Sequence, residues 1–342
     1  MSTRVETDTP FETFLHKYDE GDWAEMVLSL LPDIHEVDRA ATQVWFAFYP
    51  LALHRALAAA EDPEELARKL LLQGSYRLKD QVDSSHTFLY GHRYWPAAKR
   101  AVEDYAAQFE GQQQGLTAAV LEAARRAASA AGVDEALLTG ITAVAFMTVE
   151  QAGLAALKAA PGKVLIDQRH ARLSPEQVLS ARAKDDSQGL FGFLRTVDKE
   201  WTITFDENTK GASFKLINGQ DMAWAAAADR RDYKQQDERR IEGPIPVECR
   251  NASCGTCWVG VLGGAEKLAA VSPRERRMMR EFGYLYTEEE RPVIRLSCIT
   301  PASGAVSIVI PPWNGFFGKR LKPGAEGASA EEAAASRNES VS

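Results

Sequence analysis

The sequence predicts an α+β fold in which an all-helical N-terminal domain precedes a smaller domain built mainly from strands. Apolar residues recur with the helical period up to about residue 185, and with a period of two from Trp201 onward. All four cysteines lie in the second part. We therefore expect a helical domain, a linker, a strand-rich domain and a disordered tail at residues 1–185, 186–200, 201–321 and 322–342.

Charge and hydropathy narrow the function classes. The net charge of −8 arises within residues 1–200, which hold 29 acidic and 21 basic residues, whereas residues 201–313 hold 15 of each. This balance disfavours nucleic acid as the main partner, because phosphate binding needs clustered cations. The longest apolar stretch, 137–149, is shorter than the roughly 20 residues that a bilayer requires. With no secretory signal at its start, the chain is expected to be cytoplasmic, where disulfides are rare.

Helix signals punctuate the first domain. Trp23, Met26 and Val27 repeat at helical spacing behind Asp22, which we expect to cap that helix. Pro50 is expected to break the following helix, because proline lacks the backbone donor that a helix interior needs. Further along, the pattern predicts a helix from Asp62 to Gly74, helix starts at Pro96 and Thr117, a stop at Gly132, one or two helices over 134–160, and a capping box at Ser174.

The second domain alternates strands with short helices. Strands are predicted in WTITFDE, GASFKLING, CWVGVLGG and VSIVIP, and helices in DMAWAAAAD and SPRERRMMREFG. Charge and glycine between Lys184 and Glu200 predict the linker. The small polar residues from Lys322 to Ser342 could bury almost nothing, which predicts disorder.

The cysteine spacing is the most specific signal. Cys249, Cys254 and Cys257 lie within nine residues, and Cys298 follows forty-one residues later. Four thiolates suit zinc or an iron–sulfur cluster, and structural zinc sites favour two separate CxxC pairs. The observed C-x4-C-x2-C…C spacing is the plant-type 2Fe–2S arrangement, in which Cys249 and Cys254 can bind one iron while Cys257 and Cys298 bind the other. Four-thiolate zinc and free structural thiols remain alternatives.

Residues from about 201 to 313 resemble the plant-type 2Fe–2S ferredoxin domain, a β-grasp fold. The resemblance covers the first two strands, the helix DMAWAAAAD, the cysteine loop, the strand WVGVL, and RLSC followed by GAVSIVIP. It implies one 2Fe–2S cluster, one-electron transfer and a reductase or oxidoreductase complex as partner. Two departures stand out: Ala252 replaces a common glycine, and the gap before Cys298 is long and holds the helix from Ser272.

Several arginines stand near the cysteines in the sequence. Positive charge close to a cluster would raise its reduction potential, since it favours the more negative reduced form. The alternative is that these arginines are solvated partners of neighbouring acids. The residues concerned are Arg250, Arg295 and the pairs Arg230-Arg231 and Arg239-Arg240.

All six histidines fall in the helical domain. His86 follows Asp83 by one helical turn, as in a di-iron bundle, but such sites need the pattern twice and no second copy is visible. Capping, stacking or hydrogen bonding is therefore expected for His86, His92, His35 and His54. Aromatic residues here and after the last strand are expected to be core, the alternatives being cofactor contacts for the first four and a hydrophobic anchor for a partner for the last three: Tyr94, Trp95, Tyr105, Phe109, Trp313, Phe316 and Phe317.

These observations predict a one-electron carrier or electron-transfer subunit whose helical domain docks a partner. No glycine-rich dinucleotide motif, phosphate loop or flavin signature accompanies the cysteines, so a substrate site of its own is not expected. Two alternatives stay open. The first is an oxidoreductase subunit with a second cofactor in the helical domain, and the second is an iron–sulfur redox sensor.

Overall fold

The computed structural model describes residues 8–111, 114–185, 199–284 and 289–318. The α+β prediction is confirmed: helices fill the first part and a mixed sheet lies in the second. The helices are α1 Pro10–Leu15, α2 Glu20–Leu30, α3 Glu36–Phe48, α4 Leu51–Ala59, α5 Pro63–Lys69, α6 Trp95–Ala107, α7 Leu116–Ala131, α8 Ala136–Ala152, α9 Leu154–Ala159, α10 Gln168–Ala171, α11 Pro175–Ala183, α12 Met222–Ala226 and α13 Pro273–Phe282.

Helix ends follow local side-chain chemistry. Pro50 separates α3 from α4, and Asp62 caps α5 through the amides of Glu64 and Glu65, both as predicted. Gly132 ends α7 in the left-handed conformation that glycine adopts without a steric penalty. The remaining predicted signals also hold: α6 and α7 begin within one residue of Pro96 and Thr117, 134–160 forms two helices, and Ser174 closes a capping box.

Two helix boundaries differ from expectation. Asp19, not Asp22, caps α2, and Asp22 instead completes the capping box three positions later. Because both positions carry aspartate, the sequence alone offers two equivalent caps. Helix α5 ends at Lys69, and Gly74 lies in a strand.

Helix α8 is the centre of the helical region. Every residue from Leu138 to Glu150 is buried, because α3, α6 and α7 pack around it. A helix that is apolar on all sides has to be enclosed in this way. The predicted aromatic core is confirmed at Trp95, Tyr105 and Phe109. None of the described helices is long and apolar enough to cross a bilayer.

Within the described residues, seven strands form two sheets: β1 Gln73–Gly74, β2 Glu200–Thr204, β3 Ser213–Ile217, β4 Trp258–Gly263, β5 Ile294–Leu296, β6 Val306–Val309 and β7 Trp313–Asn314. The larger sheet has the order β3-β2-β6-β4-β5, with β2 and β6 parallel and the other pairs antiparallel. Helix α12 packs against β3. The smaller sheet pairs β1, from the helical region, with β7.

One hydrophobic core extends across both regions, and a second lies within the sheet region. Helix α3 lies on β4, where the ring of Phe48 meets the ring of Trp258 edge to face at 5.2 Å. A side chain at Gly260 would collide with Val44, since an added Cβ would lie 2.3 Å from a valine methyl group. Trp313 is fully buried in this core and donates from Nε1 to the carbonyl of Phe48 at 2.6 Å.

A buried ion pair adds a polar tie between the regions. Arg182, on α11, donates from Nε to Glu207 at 2.7 Å and from Nη1 to the carbonyl of Val37 at 2.6 Å. Of the predicted linker, residues 186–198 lie outside the described residues, as does the tail 322–342. The domain boundaries therefore stay predictions.

Candidate functional site

The four cysteines meet where the loop before β4 faces the segment after β5. The Sγ atoms of Cys249 and Cys254 lie 3.1 Å apart. Cys257 and Cys298 are both buried and their thiols are joined by a hydrogen bond. The cysteines thus form two pairs, and these pairs are the two that the spacing predicts for the two irons.

Local backbone geometry turns amides toward the sulfurs. Arg250 and Ala252 have φ values of 56° and 62°, in the left-handed region that glycine usually occupies. The amide of Ala252 donates to Cys298 Sγ at 3.3 Å, and that of Ser253 donates to Cys249 Sγ at 3.2 Å. Such amides stabilise negative charge on sulfur. The departure at Ala252 therefore leaves the loop turned as a glycine would turn it.

The thiol pKa values follow these contacts. Burial disfavours the Cys249 thiolate, but hydrogen bonds from the loop amides and from Cys254 outweigh burial and lower the pKa of Cys249. The hydrogen bond with Cys298 raises the pKa of Cys257 well above its ordinary value and lowers that of Cys298. These hydrogen-bonded thiols stand in for the thiolates that would hold a metal centre. Their number, grouping and amide environment fit a 2Fe–2S cluster.

Helix α13 lies in the long gap between the third and fourth cysteines, and this segment contacts the loop that carries the first three. Arg274 donates to the carbonyl of Asn251 at 2.8 Å. Tyr284 donates its hydroxyl to the carbonyl of Gly255 at 2.9 Å. The extra segment is therefore part of the site.

A buried ion pair fixes the strand that leads to Cys298. Arg295 donates to both carboxylate oxygens of Glu275, at 2.9 and 3.1 Å. The same carboxylate accepts from the Leu296 amide at 3.0 Å and the Thr300 hydroxyl at 3.2 Å. Glu275 and Arg295 are almost inaccessible to solvent, and a buried pair of this kind needs such additional hydrogen bonds.

Five of the six arginines singled out near the cysteines pair with acids, as the second interpretation proposed. Arg250 pairs with Glu242, and its guanidinium also lies 4.2 Å from the ring centroid of Trp224. Arg295 is buried rather than solvated. The other pairs are Arg231 with Asp229, and Arg239 and Arg240 with Asp237.

Hydrogen bonds account for two buried histidines of the helical region. His86 Nε2 bonds to the carbonyl of Val82 at 3.1 Å, so its Nδ1 accepts from His92 Nδ1 at 2.8 Å. His92 Nε2 in turn accepts from the amide of Leu165 at 2.8 Å. All four ring nitrogens are used, which confirms the expected structural role. Among all the described residues, the cysteine site included, no three His, Cys, Asp or Glu side chains are grouped as a single metal ion would require.

The site has an exposed rim that the cysteine spacing does not reveal. Trp224 is 51% exposed and Ile241 is 74% exposed, and each lies close in sequence or in space to Arg250 or its partner Glu242. Trp224 stands in α12, whose three alanines are buried. In the sequence, this exposed residue is indicated by a single tryptophan in a helix otherwise made mostly of alanine.

Residues 217–303 match the family model described as a 2Fe–2S iron–sulfur cluster binding domain. All four cysteines lie within this segment, and the cofactor is a 2Fe–2S cluster. The matched segment gives the chain an iron–sulfur electron-transfer role. The helical region lies outside the match. The comparisons with curated proteins and with solved structures find no protein similar to this chain.

Proposed function

We propose that this chain is a ferredoxin-type one-electron carrier or electron-transfer subunit whose 2Fe–2S cluster is held by Cys249, Cys254, Cys257 and Cys298. The observation that carries the proposal is the arrangement of these cysteines as two sulfur pairs within the matched segment. Cys249 and Cys254 would bind one iron, and Cys257 and Cys298 the other. A bound 2Fe–2S cluster takes up and releases single electrons.

The surrounding residues set how the cluster would exchange electrons. Cys249 and Cys254 are partly exposed, whereas Cys257 and Cys298 are buried. The first pair therefore marks the side on which a redox partner approaches. Trp224 and Ile241 offer that partner an apolar contact, since large exposed apolar side chains often mark interaction sites.

The helical region would select the partner. Residues 1–200 carry the whole net negative charge of the chain, and complementary charge acts mainly on the rate of encounter. Screening by salt should weaken this effect, because the Debye length is about 8 Å at physiological ionic strength. The expected partner is a reductase or oxidoreductase complex with a basic docking face.

Metal analysis tests the cluster assignment. Purified full-length protein should be red-brown and contain two irons and two acid-labile sulfides per chain. Dithionite should then produce the one-electron paramagnetic spectrum of a reduced 2Fe–2S centre. Stoichiometric zinc in protein made with adequate iron would refute the proposal.

Electron transfer to a basic haem protein, cytochrome c, tests the docking role. Three exposed acids of the helical region are neutralised together, with a matched triple in the sheet region as control. We expect the rate at low salt to fall about tenfold or more in the first variant and to change little in the control. Equal rates in both variants would contradict the docking role. The substitutions are Glu25→Gln, Glu36→Gln and Glu61→Gln, against Glu238→Gln, Glu266→Gln and Glu290→Gln.

A further inference from the structure

A cavity of about 250 Å³ opens in the helical region between α4 and residues 76–79. Its floor is apolar and buried, made by Phe48, Tyr49 and Leu53. Ligand sites in proteins commonly have this character, with apolar walls and a few polar groups that orient the ligand. The volume lies below the roughly 300–1,000 Å³ of drug-sized sites, which favours a molecule of one or two rings.

The polar groups around the cavity favour an anion. Lys79 is exposed at its edge, and no ion-pair or hydrogen-bond partner is seen for its ammonium group among the described residues. His54 also lines the cavity, and burial, with help from Arg55 and His16, lowers the pKa of its imidazole. A neutral imidazole can both donate and accept a hydrogen bond. Arg77 is already paired with Glu64, so Lys79 is the charge available to a ligand.

One wall of this cavity is joined to the cysteine site. Phe48 lines the cavity and also contacts the ring of Trp258 edge to face. Trp258 directly follows Cys257 and stacks on Tyr284 with 4.2 Å between ring centroids and 9° between ring planes. A ligand against Phe48 is therefore separated from a proposed cluster ligand by two aromatic side chains. A shift of Phe48 would be transmitted to Trp258, since packed cores have little free space.

A larger cavity, of about 520 Å³, is a weaker candidate for a ligand site. Acidic and basic side chains line it together, among them Asp206, Asp232, Lys210 and Arg231. Arg231 is already paired with Asp229. This lining favours neither an anion nor a cation.

We propose that the cavity between Phe48, His54 and Lys79 binds a small planar aromatic anion, and that its occupancy alters the environment of the cluster. The aromatic part would lie on Phe48 and Leu53. The anionic group would pair with Lys79 and accept a hydrogen bond from His54. Binding itself does not depend on the proposed function, whereas the effect on the cluster rests on it.

Binding to the full-length holoprotein by calorimetry tests the first part, with 2-naphthoate as the probe and 2-naphthamide as its neutral counterpart. We expect one-to-one saturable binding in which the anion is favoured about tenfold, equivalent to 1.4 kcal/mol. Lys79→Gln should remove this preference and leave the amide unaffected. Lys158→Gln, at an exposed lysine on α9, is the matched control and should change neither affinity. Equal affinities in the unaltered protein, or no saturable binding, would overturn the proposal.

A steric plug tests the location. Ala58 lines the cavity from an exposed position on α4, whereas its neighbour Ala59 is exposed but does not line it. Ala58→Trp should abolish binding of both probes and Ala59→Trp should not, while circular dichroism shows that both variants fold. Binding that survives Ala58→Trp would place the site elsewhere.

The visible circular dichroism of the cluster tests the coupling. Saturating 2-naphthoate should change this spectrum, and Phe48→Leu should reduce the change while binding persists. An unchanged spectrum at saturation would overturn the coupling alone. The calorimetry needs no signal from the cluster, so a failure of binding is distinguished from a failure of the proposed function, which the iron and sulfide content reports.

Discussion

Cys298 is the one proposed ligand that reaches the site from outside the loop, and it is held there by the Ala252 amide and by Cys257. Cys298→Ala should abolish or badly destabilise the cluster, because one coordinating sulfur is lost and the chain has no fifth cysteine. Iron and sulfide content and the dithionite-reduced paramagnetic spectrum report the loss. Ser303→Ala, at an exposed turn, should leave both unchanged. A normal, equally stable cluster in the Cys298 variant would remove this residue from the ligand set.

Ala252 holds a conformation that costs an ordinary residue about 1–2 kcal/mol. Replacing it with glycine relieves that strain but loses a buried methyl group and adds freedom to the unfolded chain. We expect these effects nearly to cancel in Ala252→Gly. The free energy of unfolding, measured in urea, should therefore change by less than about 1 kcal/mol. Ala123→Gly, at a buried position within α7, should cost about 1–2 kcal/mol because no strain is relieved. Equal losses would show that residue 252 is unstrained.

The His86–His92 pair makes stability depend on pH. Burial lowers the pKa of His92 to about 4 and that of His86 well below its ordinary value. Between about pH 6.5 and 4 the unfolded chain binds protons that the folded one does not, so stability falls as pH falls. His92→Gln should reduce this slope by roughly 1 kcal/mol per pH unit, measured by urea unfolding followed with far-ultraviolet circular dichroism.

The comparison with the unaltered protein isolates this effect from others. Buried Asp38, whose pKa burial raises to about 6, opposes it, because stability from that carboxyl falls as pH rises through the same window. Asp38 is present in both proteins, so its contribution cancels in the difference. Identical slopes for the two proteins would mean that His92 titrates normally.

At the scale of elements, α13 stabilises the strand that leads to Cys298, through the buried ion pair between Glu275 and Arg295. Glu275→Gln leaves the buried Arg295 charge uncompensated, and breaking a buried pair from one side commonly costs about 3–5 kcal/mol. We therefore expect lower stability and faster loss of visible cluster absorbance in urea. Glu281→Gln in the same helix removes an exposed pair with Arg277 and should change stability by less than about 0.5 kcal/mol. Equal effects would deny α13 a supporting role.

Elements were predictable where their signals are local. The caps at Asp62 and Ser174, the break at Pro50 and the stop at Gly132 each depend on neighbouring residues alone. The prediction that Asp22 caps α2 was wrong, because Asp19 and Asp22 satisfy the same local pattern. The spacing of the four cysteines predicts the proposed site without any structure, since ligand spacing is itself local information, and all four lie in the segment that matches the 2Fe–2S domain.

Contacts between distant segments could not be predicted from local patterns. Gly74 seemed to end a helix, but it pairs with Trp313, which lies far along the chain. The packing of α3 on β4 likewise depends on the fit between Val44 and Gly260, and neither residue signals the other.

At the scale of the whole molecule, the shared core predicts a single unfolding transition. Far-ultraviolet circular dichroism, which follows the helices, and cluster absorbance should therefore change together on heating. Gly260→Ala should lower the common midpoint, since overpacking a core typically costs about 1–3 kcal/mol. Gly115→Ala, where an added Cβ meets nothing, should change it little. Two separated transitions would show that the regions are independent.

The pairing of β1 with β7 has a consequence for the order of events during biosynthesis. Strand β1 and the carbonyl of Leu70 find backbone hydrogen-bonding partners in residues 312–316, which a ribosome makes last among the described segments. Translation at about 5–20 residues per second separates these two segments by some tens of seconds at the slower end. The cysteine loop and Cys298 emerge before Trp313 does. The nascent chain thus presents its four thiols while the surface later covered by Trp313 is still open, and completion of the C-terminal strand then closes it.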